Sequence, residues 1–181
     1  DSLFIESATA KLTEHLSVMA TEETLAQEIA FNPGAIDVLL EAVGRTSDQI
    51  IIDMPRSAFA VRQRVFDAAS AVVLVTELSL PGLRDSMRLL TGIEEVSVGL
   101  PVTVVANRTG GGQQAMQPGD FQKALGHKID FQIPEDRKSF IEAANNGKPL
   151  VQSNQRSAAT KALRRIAEKL VEGPAGTEQK A

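Results

Sequence analysis

Near-continuous runs of β-branched and aliphatic residues, separated by helix-type patterns, constrain this chain more than any other feature. In Val72-Val73-Leu74-Val75-Thr76 and Val102-Thr103-Val104-Val105-Ala106 apolar residues point to both sides of the strand. A sheet with one wet face alternates apolar and polar residues, whereas a strand covered on both faces does not. By this reading strands are expected at residues 15–20, 49–53, 71–76, 101–106 and 128–133. Between them, Ile36, Leu39, Leu40 and Val43 line one face of a helix. Leu83, Met87 and Leu90 give the stripe of a second helix, with Ser79 as its cap and Pro81 in its first turn. Leu163, Ile166, Ala167, Leu170 and Val171 give that of the last, which is expected to stop at Gly173-Pro174. Strands alternating with helices predict right-handed crossovers, hence an α/β fold: a doubly wound, mainly parallel sheet with helices on both faces. No internal repeat or linker breaks the pattern, so residues 1–172 read as one domain and 173–181 as a disordered tail.

Composition removes several function classes. The 19 Lys and Arg against 23 Asp and Glu leave a net charge of −4, so no global positive field draws nucleic acid or anionic lipid. With no Cys there is no thiolate nucleophile, disulfide or Cys-based zinc site, which favours a reducing, cytoplasmic setting. The apolar run at residues 68–75 is far shorter than the roughly 20 residues a membrane-crossing helix needs. His15 and His127 have no companion at metal-ligand spacing, and no G-x-S-x-G elbow occurs. Gly110, Gly112 and Ala115 fit G-x-G-x-x-A, but Pro118-Gly119 interrupts the helix that should follow, so a Gly/Gln loop is the better reading.

In open α/β sheets ligands bind beyond the carboxyl ends of the strands, which directs attention to three segments. Ile50-Ile51-Ile52-Asp53-Met54-Pro55 ends an apolar run in a carboxylate, suited either to holding Mg²⁺ beside nucleotide phosphates or to capping a turn. Val104-Val105-Ala106-Asn107-Arg108 ends in an amide that both donates and accepts, as a purine edge requires and as a turn equally uses. Ile133-Pro134-Glu135-Asp136 leads into a helix, whose dipole alone accounts for two acids there.

Together these segments resemble the later part of a MinD/ParA-type P-loop ATPase, specifically the CpaE/TadZ group that assembles Tad (Flp) pili. The likeness runs from about Leu3 to Val171 and is most group-specific in the stretch from Thr76 to Leu90 and in Asp53-Met54-Pro55-Arg56. It implies that Asp53 is the Walker B acid, holding Mg²⁺ through water, and that Arg56 lies in switch II. Asn107 takes the place of the family's adenine-contacting Asn, while Pro134, Glu135 and Asp136 match the stretch whose backbone borders the base. ATP and Mg²⁺ as cofactors, a nucleotide-dependent homodimer, and a positioning or scaffolding role at a cell pole beside the pilus secretion ATPase are further implications. On the helix after the central strand, Arg84, Asp85 and Arg88 are candidates for the dimer or partner surface.

One departure bears on activity. No G-x-x-x-x-G-K-[ST] occurs, and the single Gly-Lys pair, Gly147-Lys148, runs into Pro149 in the family's A-N-x-G-K-P turn. The resemblance places the Gly-rich phosphate loop and the switch I acid before residue 1, so the expected fold is N-terminally incomplete and the chain alone inactive as an ATPase. A non-catalytic scaffold of the same fold is one alternative. A ParA-type DNA segregation ATPase is another, with Arg156, Lys161, Arg164, Arg165 and Lys169 as its basic cluster.

Overall fold

A computed structural model describes residues 7–20, 33–55, 62–111 and 116–172. The chain divides into two compact units, Asp1–Ala68 and Ala69–Ala181. In the first, strands β1 (Thr9–Lys11) and β2 (Ser17–Met19) form an antiparallel hairpin, followed by helices α1 (Pro33–Gly44) and α2 (Arg62–Ala68). An Arg64–Asp37 ion pair of 3.6 Å joins the two helices.

The second unit runs β3 (Val72–Glu77), α3 (Leu80–Val96), β4 (Val102–Thr109), α4 (Pro118–Leu125), β5 (Phe131–Pro134), α5 (Arg137–Asn145), α6 (Leu150–Ser153) and α7 (Ala158–Val171). Its three strands form a parallel sheet in the order β3-β4-β5. β4 is central, and its alternate side chains feed two separate cores. Val104 and Ala106 pack with Leu74, Leu78, Leu83, Phe121 and Leu125, beneath α3 and α4. Val105 packs with Ile133, Ala143, Leu150, Ala159 and Ile166, beneath α5, α6 and α7. A strand feeding cores on both sides needs apolar residues at consecutive positions, which is why β4 does not alternate.

Two of the five expected strands differ. Residues 49–53 carry no ladder: Ile50, Ile51 and Ile52 are 42%, 92% and 44% exposed in an extended segment. An apolar run supplies β propensity, but a strand exists only where a neighbouring backbone accepts and donates its hydrogen bonds, and no described residue pairs with this one. The run at 15–20 contributes Ser17–Met19 to the hairpin instead of to the parallel sheet, because the nearby Thr9–Lys11 is the partner it finds.

α3 begins as its sequence signature requires. The Ser79 hydroxyl accepts a 3.1 Å hydrogen bond from Gly82 N–H, with Pro81 in the first turn. Its buried line is Leu83, Ser86 and Ile93, with Leu89 and Leu90 half-buried, while Met87 is 47% exposed and not part of the expected stripe. Ser86 displaces Met87 from that role because its hydroxyl donates a 3.0 Å bond to Thr76 Oγ1 on β3, which satisfies both buried hydroxyls. The final helix starts at Ser157, whose Oγ accepts from Thr160 N–H at 3.0 Å. The expected tail and the Gly173-Pro174 stop lie outside the described residues.

Candidate functional site

The carboxyl ends of β3, β4 and β5 lie side by side, and their polar residues build one edge. Ala106 is paired with Gln132 and Thr109 with Pro134, so three steps along β4 match two along β5 and β4 carries one extra residue. This is a β-bulge, a device that re-aims side chains at strand ends. Pro134 has no N–H to continue the ladder. Pairing is completed by the next donor, Glu135 N–H, which reaches the Thr109 carbonyl at 2.9 Å, while Thr109 Oγ1 donates to the Ile133 carbonyl at 3.3 Å.

Asn107 and Arg108 form the bulge. The Asn107 Oδ1 accepts from Arg108 N–H at 3.0 Å, which fixes the amide. Its nitrogen still carries two donors and its oxygen a second lone pair. Arg108 has φ of 56° and is the one non-glycine residue with positive φ among those described. Its guanidinium donates to the Glu77 carboxylate at 3.0 Å, tying the end of β4 to the end of β3. Beyond the bulge, a Cβ on Gly111 would strike the Glu135 carboxylate, so glycine is what lets that acid lie against the loop.

The candidate residues are distributed unevenly over this frame. Asn107, Pro134 and Glu135 meet at the β4–β5 end. Asp136, one residue on, caps α5 by accepting from Ser139 N–H at 3.2 Å. Asp53 is exposed in the first unit, in the segment without a ladder, and Arg56 lies outside the described residues. On α3, Arg84 and Arg88 are exposed and Asp85 is half-buried. Among the described residues no three His, Asp or Glu side chains cluster as metal ligands. A shallow cleft between β5 and α7, lined in part by Asp130 and Arg165, lies away from this edge. Its Asp130 already accepts from Val104 N–H at 2.8 Å and pairs with Lys128 at 2.9 Å.

Sequence reasoning misses the roles of Glu77, Arg108 and Gly111. The available signal is a proline facing the Asn-Arg-Thr-Gly end of β4, because a strand meeting Pro134 must break register there.

No protein-family model matches the sequence. Over 141 residues the chain is 32% identical to the chloroplastic septum site-determining protein MinD homolog of Arabidopsis thaliana, a match covering 76% of this chain and 43% of that protein. A ParA family ATPase from Chlorobium tepidum TLS superposes with a TM-score of 0.81 at 20% identity, over 93% of this chain and 70% of that one. MinD from Pyrococcus horikoshii OT3, solved with Mg-ADP, gives 0.65 at 23% identity over 83% and 60%. The parallel sheet clad by helices is thus the MinD/ParA-type P-loop ATPase fold. The chain spans about half the length of the curated relatives it matches, 43% and 54%. No helix among the described residues is long and apolar enough to cross a membrane.

Proposed function

We propose that the protein binds adenine nucleotide at the β4–β5 end and acts, as a nucleotide-dependent homodimer, in positioning the Tad/Flp pilus assembly machinery at a cell pole. The observation that carries the nucleotide part is the Asn107 amide, held by Arg108 N–H in a bulge of β4 beside the Pro134 end of the adjacent parallel strand. The two amide donors and the second oxygen lone pair of Asn107 fit a purine edge. Support for the pilus role is the resemblance in the Thr76 to Leu90 stretch and in Asp53-Met54-Pro55-Arg56. The relative solved with Mg-ADP supports nucleotide and Mg²⁺ as ligands, with Asp53 as the Mg²⁺-side acid. The phosphate end is not matched by the residues present, since this sequence contains no G-x-x-x-x-G-K-[ST] loop. No hydrolytic step is assigned to these residues.

Asn107→Ala is expected to weaken ADP binding by about 0.5–1.5 kcal/mol for each base-edge hydrogen bond removed, with the melting temperature unchanged. Asp53→Ala should instead reduce the Mg²⁺ dependence of binding. Calorimetry is the suitable probe, because the chain has no Trp or Tyr. Unaltered ADP affinity in Asn107→Ala returns that residue to a turn-forming role.

The partner surface is the outward side of α3. Replacing Arg84 and Arg88 together by Glu should leave the melting temperature within about 2 °C, as exposed substitutions usually do. Light scattering with and without nucleotide should then show loss of the nucleotide-dependent dimer. A dimer that survives the double reversal excludes this surface.

The second reading, DNA segregation, draws on the exposed Lys161, Arg164, Arg165 and Lys169 of α7. Retention on DNA that falls steeply with salt would favour it.

A further inference from the structure

We infer that Arg108 is a positioning residue that holds the Asn107 amide in register for base recognition, through its ion pair with Glu77. This rests on the adenine-binding reading above and names the residue on which its selectivity depends.

Three observations carry it. First, Arg108 sits at φ of 56°, where a β-carbon is strained and glycine is not. Glycines hold the other positive-φ positions among the described residues: Gly99, Gly110, Gly126 and Gly147. An arginine there carries local backbone strain that a glycine would not, and such strain persists only where the surroundings fix the residue, here through its side chain. Second, that side chain spans to β3 and meets Glu77 at 3.0 Å, with the two side chains 68% and 56% exposed. An ion pair so open to water adds little to global stability, and its influence is limited to biasing the local conformation of the β4 end by a few-fold, the scale of the effect tested below. Third, Glu77 and Asn107 are the last register pair between β3 and β4. The bulge is therefore bracketed on one side by the ion pair and on the other by the Thr109 bonds to Ile133 and Glu135. Arg108 N–H is also the donor that holds the Asn107 Oδ1. Freeing Arg108 from Glu77 loosens the peptide that orients the amide, and recognition of a purine edge requires that orientation to within a fraction of an ångström.

The test compares ADP and GDP affinity by calorimetry in the wild-type chain and in Arg108→Gly, Arg108→Lys and Glu77→Gln. In Arg108→Gly the melting temperature should be within about 2 °C of wild type, because relief of the positive φ offsets the added freedom of the unfolded chain. Its ADP affinity should fall about three- to tenfold, as for a misaligned hydrogen-bonding amide, while GDP affinity changes less than about twofold. Glu77→Gln should repeat this loss of preference, and Arg108→Lys, which keeps a cation for Glu77, should restore most of it. An unchanged ADP/GDP ratio in Arg108→Gly overturns the inference, as does a Lys variant no better than the Gly variant. Equal loss of both nucleotides together with a lower melting temperature also overturns it, because Arg108 is then only structural. A wild-type chain with no preference for ADP overturns the adenine-binding reading itself, a result distinct from the other three.

Discussion

Phe121→Ala is expected to lower the unfolding free energy by about 3–5 kcal/mol, the usual cost of removing a buried aromatic side chain. Phe121 is fully buried at the start of α4, packed in the core that Leu74, Leu78, Leu83, Val104, Ala106 and Leu125 complete. Leu89, Leu90, Met116 and Ile129 pack at the margin of this core, and how far they settle into the gap sets where in that range the loss falls. A domain stable by roughly 5–15 kcal/mol would thus lose much of its margin. The same core holds the strand ends in place: Met116 N–H, just before α4, donates to the Leu78 carbonyl just after β3 at 3.0 Å. Urea unfolding should show a lower midpoint with an unchanged slope. Phe140→Ala, at a position 41% exposed on α5, is the control and should cost under about 1 kcal/mol. A Phe121→Ala loss no larger than that of the control would mean that this core does not stabilise the sheet.

Much of the sheet is legible in the amino-acid sequence, and the reasons are local. β4 announces itself by apolar residues on both sides, as a strand feeding two cores requires, whereas β3 carries the same pattern although its Val73 and Val75 are 37% and 57% exposed. α3 follows from Ser79 and Pro81, whose roles depend on neighbours within the first turn. The features that sequence hides depend on partners distant along the chain. Ile50-Ile51-Ile52 has the composition of a strand, but composition does not supply a paired backbone. Met87 resembles a core residue because periodicity favours apolar side chains, and nothing in sequence shows that Ser86 bonds Thr76 across the layer. α4 is hidden behind Pro118-Gly119, which reads as a breaker, although proline in a first turn is compatible with a helix start. At the candidate site Asn107 is visible as a polar residue ending an apolar run. The bulge that presents it is not, since it arises from register against Pro134 on another strand.

Gly82→Ala is expected to destabilise the protein by about 1–3 kcal/mol, in the range for overpacking, and to disturb the proposed nucleotide edge as well. Gly82 lies in the first turn of α3, where a Cβ would collide with the backbone carbonyl oxygen of Glu77 and lie 3.0 Å from Thr76 Oγ1. A side chain could swing away from that methyl, but the Glu77 carbonyl belongs to the last residue of β3 and can yield only if the strand end moves. Alanine's helix propensity returns up to about 1 kcal/mol, which the clash exceeds. Gly119→Ala gives the matched control: Gly119 is also in a helix first turn, at the start of α4, and a Cβ there meets nothing within 4 Å. It should be neutral or mildly stabilising. The functional consequence follows from which residue is displaced. Glu77 is the partner of Arg108, so a shift at the end of β3 loosens the bulge that carries Asn107. Gly82→Ala should therefore lower the ADP/GDP affinity ratio in the same direction as Glu77→Gln, at temperatures well below its reduced melting point. A Gly82→Ala protein as stable as the Gly119→Ala control would show that α3 can move away from β3 without cost.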